Sequence, residues 1–190
     1  KYLVAFATMW TLSAGVVYAA DHEYVVDHNG DTSGQACTVA AADCSLRSAM
    51  ELANAEASGD TKLITFDAAL SGATITLTSN PESVPSNATI TGLGSGSLTI
   101  DFDSNDGFGF GGGTRAELTD VTLSNANASC ITFTEGGAPG NPSLISDVVI
   151  DTCGTNGIEL GTGGFSIDNV TIQDTTITNT TENSIEIDAD

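Results

Sequence analysis

Basic residues are scarce in this 190-residue chain, in which four lysines and arginines face 25 acidic residues and the formal net charge is -21. With so few cations, the chain has no basic patch to neutralise phosphates. This excludes nucleic acid as a partner and disfavours docking on anionic lipid. The partners that remain are cations, basic surfaces and neutral sugars.

Helical patterns are almost as scarce. Residues 45–57 form the one amphipathic segment, in which Leu46, Met50 and Ala53 share a face. Ser45 or Asp43 is suited to be its N-cap. The rest of the chain, from residue 63 onward, consists of short β-branched runs separated by Gly, Ser, Asn and Asp. The pattern predicts an all-β protein with a single helix.

A repeat of 27 residues occupies the last third of the chain, and an earlier turn fits it with a step of 23. A fixed period of this size is typical of a solenoid, in which each repeat stacks on the next. The repeat places apolar residues at five equivalent positions, or columns, and Thr175 is the single polar exception. The columns are Leu118, Ile145 and Ile172; Val121, Val148 and Thr175; Leu123, Ile150 and Ile177; Ile131, Ile158 and Ile185; and Phe133, Leu160 and Ile187.

Each repeat holds two or three short alternating strands and no helix-length segment. We therefore expect a right-handed, single-stranded parallel β-helix, with alternate side chains pointing into the coil. Residues 63–190 give room for about five coils at the usual strand spacing, and residues 20–62 are expected to form a cap that contains the helix. The sequence stops within a strand-like run at residues 185–188, from which we expect a chain truncated at its C-terminal side.

Residues 1–19 resemble a secretory signal peptide. Lys1 precedes an apolar run, and Val17 and Ala19 stand at positions -3 and -1 of the expected cleavage site. A retained membrane anchor is the alternative. Export to the cell surface or the medium favours disulfides between Cys37 and Cys44 and between Cys130 and Cys153. Metal binding is the weaker interpretation of these cysteines, because no C-x-x-C spacing or nearby histidine accompanies them.

The segment Cys44-Ser45-Leu46-Arg47-Ser48-Ala49-Met50 resembles the CSLREA segment found near the N-terminus of many secreted β-helix proteins of the pectin-lyase-like fold superfamily. The similarity extends over residues 23–110, with Ser48 standing where the family usually has Glu. It implies an extracellular or surface solenoid, and it carries over no catalytic residue.

Catalysis within this chain lacks its usual residues. Lyases of this fold need a basic side chain on the solenoid, and beyond the helix only Lys62 and Arg115 are present. Both are interpreted as surface residues. The catalytic motifs of polygalacturonase-like enzymes are absent. The sequence therefore predicts a non-catalytic scaffold that binds polysaccharide or other cell-surface components. The alternative is the N-terminal part of a polysaccharide lyase or glycoside hydrolase whose active site lies elsewhere.

Two polar columns accompany the repeat. Asp120, Asp147 and Asp174 form the first, and stacked like charges repel unless a cation or hydrogen bonds relieve them. A calcium site on this column is one hypothesis. The other is that each aspartate caps its own turn. The second column, Asn125, Thr152 and Asn179, is interpreted as a turn ladder of side-chain hydrogen bonds. No other cofactor is expected.

Overall fold

The computed structural model describes residues 21–111, 115–134, 136, 141–161 and 169–188. The predicted signal peptide, residues 1–19, lies outside them. The strands are β1 (His22–Val26), β2 (Lys62–Phe66), β3 (Ala73–Thr76), β4 (Ala88–Thr91), β5 (Leu98–Asp101), β6 (Phe108–Phe110), β7 (Ala116–Ala126), β8 (Ile131–Phe133), β9 (Ser143–Cys153), β10 (Ile158–Leu160), β11 (Val170–Gln173), β12 (Thr176–Thr180) and β13 (Ile185–Ile187). The helix α1 covers Leu46–Ala55, and a 3-10 turn covers Ala68–Leu70.

The strands stack in parallel register on three faces and form a β-solenoid of about four turns, so the predicted parallel β-helix is confirmed. The first face contains β1, β2, β4, the N-terminal halves of β7 and β9, and β11. The second contains β3, β5, the C-terminal halves of β7 and β9, and β12. The third contains β6, β8, β10 and β13.

Residues of one apolar column of the repeat pair with one another in neighbouring strands. Leu118 pairs with Ile145, which pairs with Ile172. On the third face the shorter step of 23 is equally in register, since Phe110 pairs with Phe133. The difference between the two steps lies in the connections from the third face back to the first. Residues 111–115 join β6 to β7, whereas residues 134–142 join β8 to β9.

Apolar side chains fill the interior because every second residue of a strand points inward. Five of these inward side chains are fully buried: Ile131, Phe133, Ile145, Val148 and Ile150. Aromatic rings stack along the axis as well: the ring centroids of two phenylalanines in adjacent coils, Phe110 and Phe133, lie 4.5 Å apart. The coils thus share one continuous core.

Lys62 corrects the sequence interpretation, which placed this residue on the surface. It is 2% exposed, and it stands in the inward column that continues through Ala88, Ala116 and Ser143. These small residues leave room for the lysine stem. Its ammonium donates to the carbonyls of Ala57 and Ser86 at 2.7 and 3.0 Å, which compensates the burial of the charge.

Helix α1 begins where the sequence predicts. Ser45 is the N-cap, and its hydroxyl accepts from the backbone N–H of Ser48. Ser48 itself is fully buried; its hydroxyl accepts from the N–H of Gln35 and donates to the carbonyl of Thr32. Ser48 therefore ties the helix to the preceding loop.

Side chains of the segment that contains α1 reach the open edge of the first coil. Asn29 reaches the carbonyl of Thr74 at the edge of β3, and Asn54 of α1 donates to the carbonyl of Ser83 at 2.9 Å. The apolar face of the helix joins the core through Leu46, Ala49, Met50 and Ala53. In a longer solenoid the carbonyls of Thr74 and Ser83 would accept hydrogen bonds from a further coil; here they accept them from side chains of the cap.

A buried ion pair joins the cap to the coil. The Arg47 guanidinium binds both carboxylate oxygens of Asp31, at 2.7 and 2.9 Å, and the two side chains are 8% and 2% exposed. The guanidinium also donates to the carbonyls of Ser79 and Asn80. Asp31 in turn accepts from the backbone N–H and the hydroxyl of Thr78. The hydrogen bond to Asp31 raises the pKa of Arg47 further, so the guanidinium stays charged.

Both predicted disulfides are present. Cys37 pairs with Cys44 in the loop before α1, and Cys130 pairs with Cys153. Cys153 lies at the end of β9, one coil beyond Cys130, so the second bond links neighbouring coils. Both of its sulfur-bearing side chains are buried. In the described part of the chain every cysteine is paired.

We predict that Arg47→Met lowers the free energy of unfolding by about 3–5 kcal/mol, because it leaves the buried Asp31 carboxylate without its partner. Arg115→Met is the control, since Arg115 is 41% exposed and pairs with Glu117 at the surface. We expect that substitution to cost at most about 1 kcal/mol. Urea unfolding followed by circular dichroism measures both. Equal losses in the two variants would contradict the assignment of Arg47 as the link between cap and coil.

The disulfides differ in the length of chain that they close. From loop-closure entropy, removing the Cys130–Cys153 bond, with a separation of 23, is expected to cost about 3 kcal/mol. Removing the Cys37–Cys44 bond, with a separation of 7, is expected to cost about 2 kcal/mol. Thermal unfolding of the two double Cys→Ala variants tests this order. The reverse order would show that the cap loop contributes more than its closure entropy.

Candidate functional site

The aspartate column marks a corner of the solenoid. Asp120, Asp147 and Asp174 have φ values of 59°, 55° and 49°, in the left-handed region that few residues other than Gly, Asn and Asp adopt readily. In β7 and β9 this single residue separates the half-strand of the first face from that of the second. The column is explained by the backbone: aspartate is tolerated where the chain must turn within one residue.

The second polar column is a further corner. The φ values of Asn125, Thr152 and Asn179 are 57°, 60° and 53°. The two asparagines do not bond to one another. Each donates its amide to an aspartate in the preceding coil, Asn125 to Asp101 at 3.1 Å and Asn179 to Asp151 at 2.6 Å. The two aspartates belong to the adjacent column, which consists of Asp101, Ser124, Asp151 and Thr178.

The calcium hypothesis stays a prediction. The carboxylates of Asp120, Asp147 and Asp174 stack at one corner, but they are not a described group of three whose ligand atoms lie within 4.8 Å of one another. Asp147 accepts from the hydroxyl of Ser146 at 2.7 Å. At this corner each coil has one residue in the left-handed region.

An open groove of about 480 Å³ lies on the first face. It crosses β7, β9 and β11, which spans roughly 10 Å of the solenoid axis at the usual strand spacing. Its walls carry hydrogen-bonding side chains next to two apolar ones. The lining residues are Arg115, Glu117, Asn141, Pro142, Leu144, Thr171 and Gln173. Glu117, Leu144 and Thr171 are the outward column of consecutive coils.

The polar groups of the groove are pre-positioned by their neighbours. Glu117 accepts from the hydroxyl of Thr89 at 3.0 Å and forms an ion pair with Arg115. Gln173 donates to the hydroxyl of Ser146 at 3.2 Å. The single cation of the groove is thus neutralised by the adjacent carboxylate. The groove offers paired charge, amides and a hydroxyl rather than a net positive site.

A second open cavity, of about 410 Å³, lies beside the loop closed by Cys37 and Cys44. Its carboxylates are already engaged: Asp27 accepts from the N–H of Cys44, and Asp67 caps the 3-10 turn. The remaining lining is mostly alanine and valine. The groove on the first face is therefore the better candidate for binding a polar ligand.

Sequence reasoning did not find this groove. It placed Arg115 correctly at the surface, but it did not pair that residue with Glu117. The signal was present in the spacing, because Arg115 immediately precedes β7 and is two residues from Glu117, the spacing at which extended residues lie on the same side. Asn141 and Gln173 come from other coils, and only the stacking brings them to the groove.

No protein-family model, curated protein or solved structure matches this chain. Among the described residues, no helix is long and apolar enough to cross a membrane. The two disulfides fit an extracellular protein, since such bonds persist in oxidising compartments.

Thr152 gives a test of the corner columns. A β-branched residue is strained at positive φ, whereas asparagine, which stands at the equivalent positions 125 and 179, is not. We expect Thr152→Asn to raise the free energy of unfolding by about 1 kcal/mol. The control is Thr122→Asn, which makes the same change within regular strand β7 and should be destabilising. A loss of stability for Thr152→Asn in urea titrations would refute the backbone explanation of the column.

Proposed function

We propose that this chain is a secreted or cell-surface β-helix scaffold that binds carbohydrate on its first face without cleaving it. The observation that carries the proposal is the groove across β7, β9 and β11, whose polar side chains are supplied by three successive coils. A repeating face of this kind suits a chain-like ligand that lies along the solenoid axis. Polysaccharides and other cell-surface components are the proposed partners.

The chemistry of the groove favours a neutral sugar. Sugar hydroxyls both donate and accept, and the groove supplies a carboxylate, amides, a guanidinium and a threonine hydroxyl. Leu144 and Pro142 offer apolar surface for the C–H faces of a sugar ring. An anionic polymer is disfavoured, because Arg115 is paired with Glu117 and the chain as a whole carries a charge of -21.

Membership of the CSLREA-type β-helix proteins, with a pectin-lyase-like fold and export by a signal peptide, is part of the proposal. The role of the segment supports it. Ser45 caps the helix, Leu46 enters the core, and Arg47 binds the first coil, so successive residues of the motif perform distinct tasks in closing the solenoid. The right-handed coil follows from the usual handedness of parallel crossovers.

The proposal is tested by calorimetric titration with soluble neutral polysaccharides, for which glucan, mannan and xylan are suitable probes. We expect binding to at least one of them, no binding to polygalacturonate, and no release of reducing ends on prolonged incubation. Gln173→Ala and Asn141→Ala should each weaken binding about fivefold, the effect of losing one hydrogen bond of about 1 kcal/mol.

Thr132→Ala is the matched control, because Thr132 points outward from β8 on the third face. It should bind as tightly as the unchanged protein. Absence of binding to every neutral polysaccharide would overturn the proposal, and so would equal weakening by Thr132→Ala and Gln173→Ala. Release of reducing ends would show that the protein cleaves the polysaccharide, as a lyase or a hydrolase does, and would contradict a purely binding role.

A further inference from the structure

Three metal-ligating side chains meet at the N-terminal end of the solenoid, away from the groove. His22 opens strand β1, while Glu56 and Asp60 lie in the segment that leaves helix α1. The ligand atoms of all three lie within 4.8 Å of one another, and each residue is half-buried. In the described part of the chain no other group of histidine, cysteine and acidic residues meets this condition.

The distances resemble those between the ligands of one metal ion. The Nδ1 atom of His22 lies 3.4 Å from Oε1 of Glu56, and its Nε2 lies 3.4 Å from Oδ2 of Asp60. Both are longer than an ordinary N–H···O hydrogen bond. Two ligand atoms of a tetrahedral zinc ion, each about 2.1 Å from the metal, are about 3.4 Å apart. The two distances involve different ring nitrogens, so an ion bound to one nitrogen requires the other carboxylate to turn toward it; one ligand atom of each residue already lies within 4.8 Å of the other two.

A neighbouring residue orients one of the carboxylates. The Tyr24 hydroxyl donates to Oε1 of Glu56 at 3.2 Å. Hydrogen bonds of this kind to metal ligands fix their orientation. Tyr24 and His22 share one face of β1 because they are two residues apart.

The donor set selects the type of ion. An imidazole nitrogen with two carboxylates is a set that zinc binds, leaving a position for water. Calcium and magnesium prefer oxygen ligands alone. The charge of -21 raises the local concentration of any divalent cation.

We propose that His22, Glu56 and Asp60 bind one zinc ion, which fastens strand β1 to the end of the helical cap. The ion joins the first strand of the stack to the segment that follows α1, two parts of the chain separated by residues 27–55. Its role is structural and independent of carbohydrate binding in the groove.

The full oxidised chain is titrated with zinc chloride in a non-chelating buffer, and cobalt(II) absorption reports the coordination. We expect one equivalent to bind and to raise the midpoint of thermal unfolding. His22→Ala and Asp60→Asn should each weaken binding at least roughly tenfold. Asp60→Asn lies in an exposed segment, so it keeps the test decisive should His22→Ala impair folding.

Glu23→Gln is the matched control. It removes one negative charge next to His22, but Glu23 points to the opposite, solvent-exposed face of β1. It should bind zinc as the unchanged protein does. Three results would overturn the proposal: no zinc binding at millimolar concentration, unchanged binding in Asp60→Asn, or equal weakening by Glu23→Gln and His22→Ala. Tighter binding of calcium than of zinc would also overturn it.

Discussion

Each strand of a solenoid needs a neighbour on both sides for its backbone N–H and C=O groups, and the first coil must obtain one of these neighbours from outside the repeat. On the first face β1 fills this place through regular parallel pairing with β2. On the other faces no strand of the described residues stands in this place, and the side chains of Asn29 and Asn54 reach the exposed carbonyls instead. The constraint explains why the cap contains both a strand and a helix.

The buried pair of Arg47 and Asp31 joins the helix of the cap to the first coil. One carboxylate satisfies Thr78 of the first coil while it holds the guanidinium of the helix, and the guanidinium satisfies two further carbonyls. Ion pairs of this kind add little net stability over apolar packing, but they are costly to break on one side. The pair therefore fixes one position of the cap on the coil, and the apolar face of α1 supplies the burial.

The solenoid could be predicted from sequence because its inward columns repeat one chemical class, and Leu118, Ile145 and Ile172 are the paired residues. The burial of Lys62 could not, since a lysine is tolerated there only because small residues stand above it. The corner aspartates were recognised as a column, yet their cause is a backbone angle. The groove and the histidine cluster escaped prediction because stacking and the cap bring together side chains that are distant in sequence.

The bond between Cys130 and Cys153 has a mechanical consequence. It closes a covalent ring around nearly one coil, because its ends lie in neighbouring coils and are 23 residues apart. A pulling force applied at the two ends of the chain passes through the sulfur atoms, so the chain between them bears no load. At about 3.4 Å per residue, roughly 80 Å of contour length is withheld from extension. When the coils beside it are drawn out, residues 131–152 stay enclosed in this ring and cannot be extended.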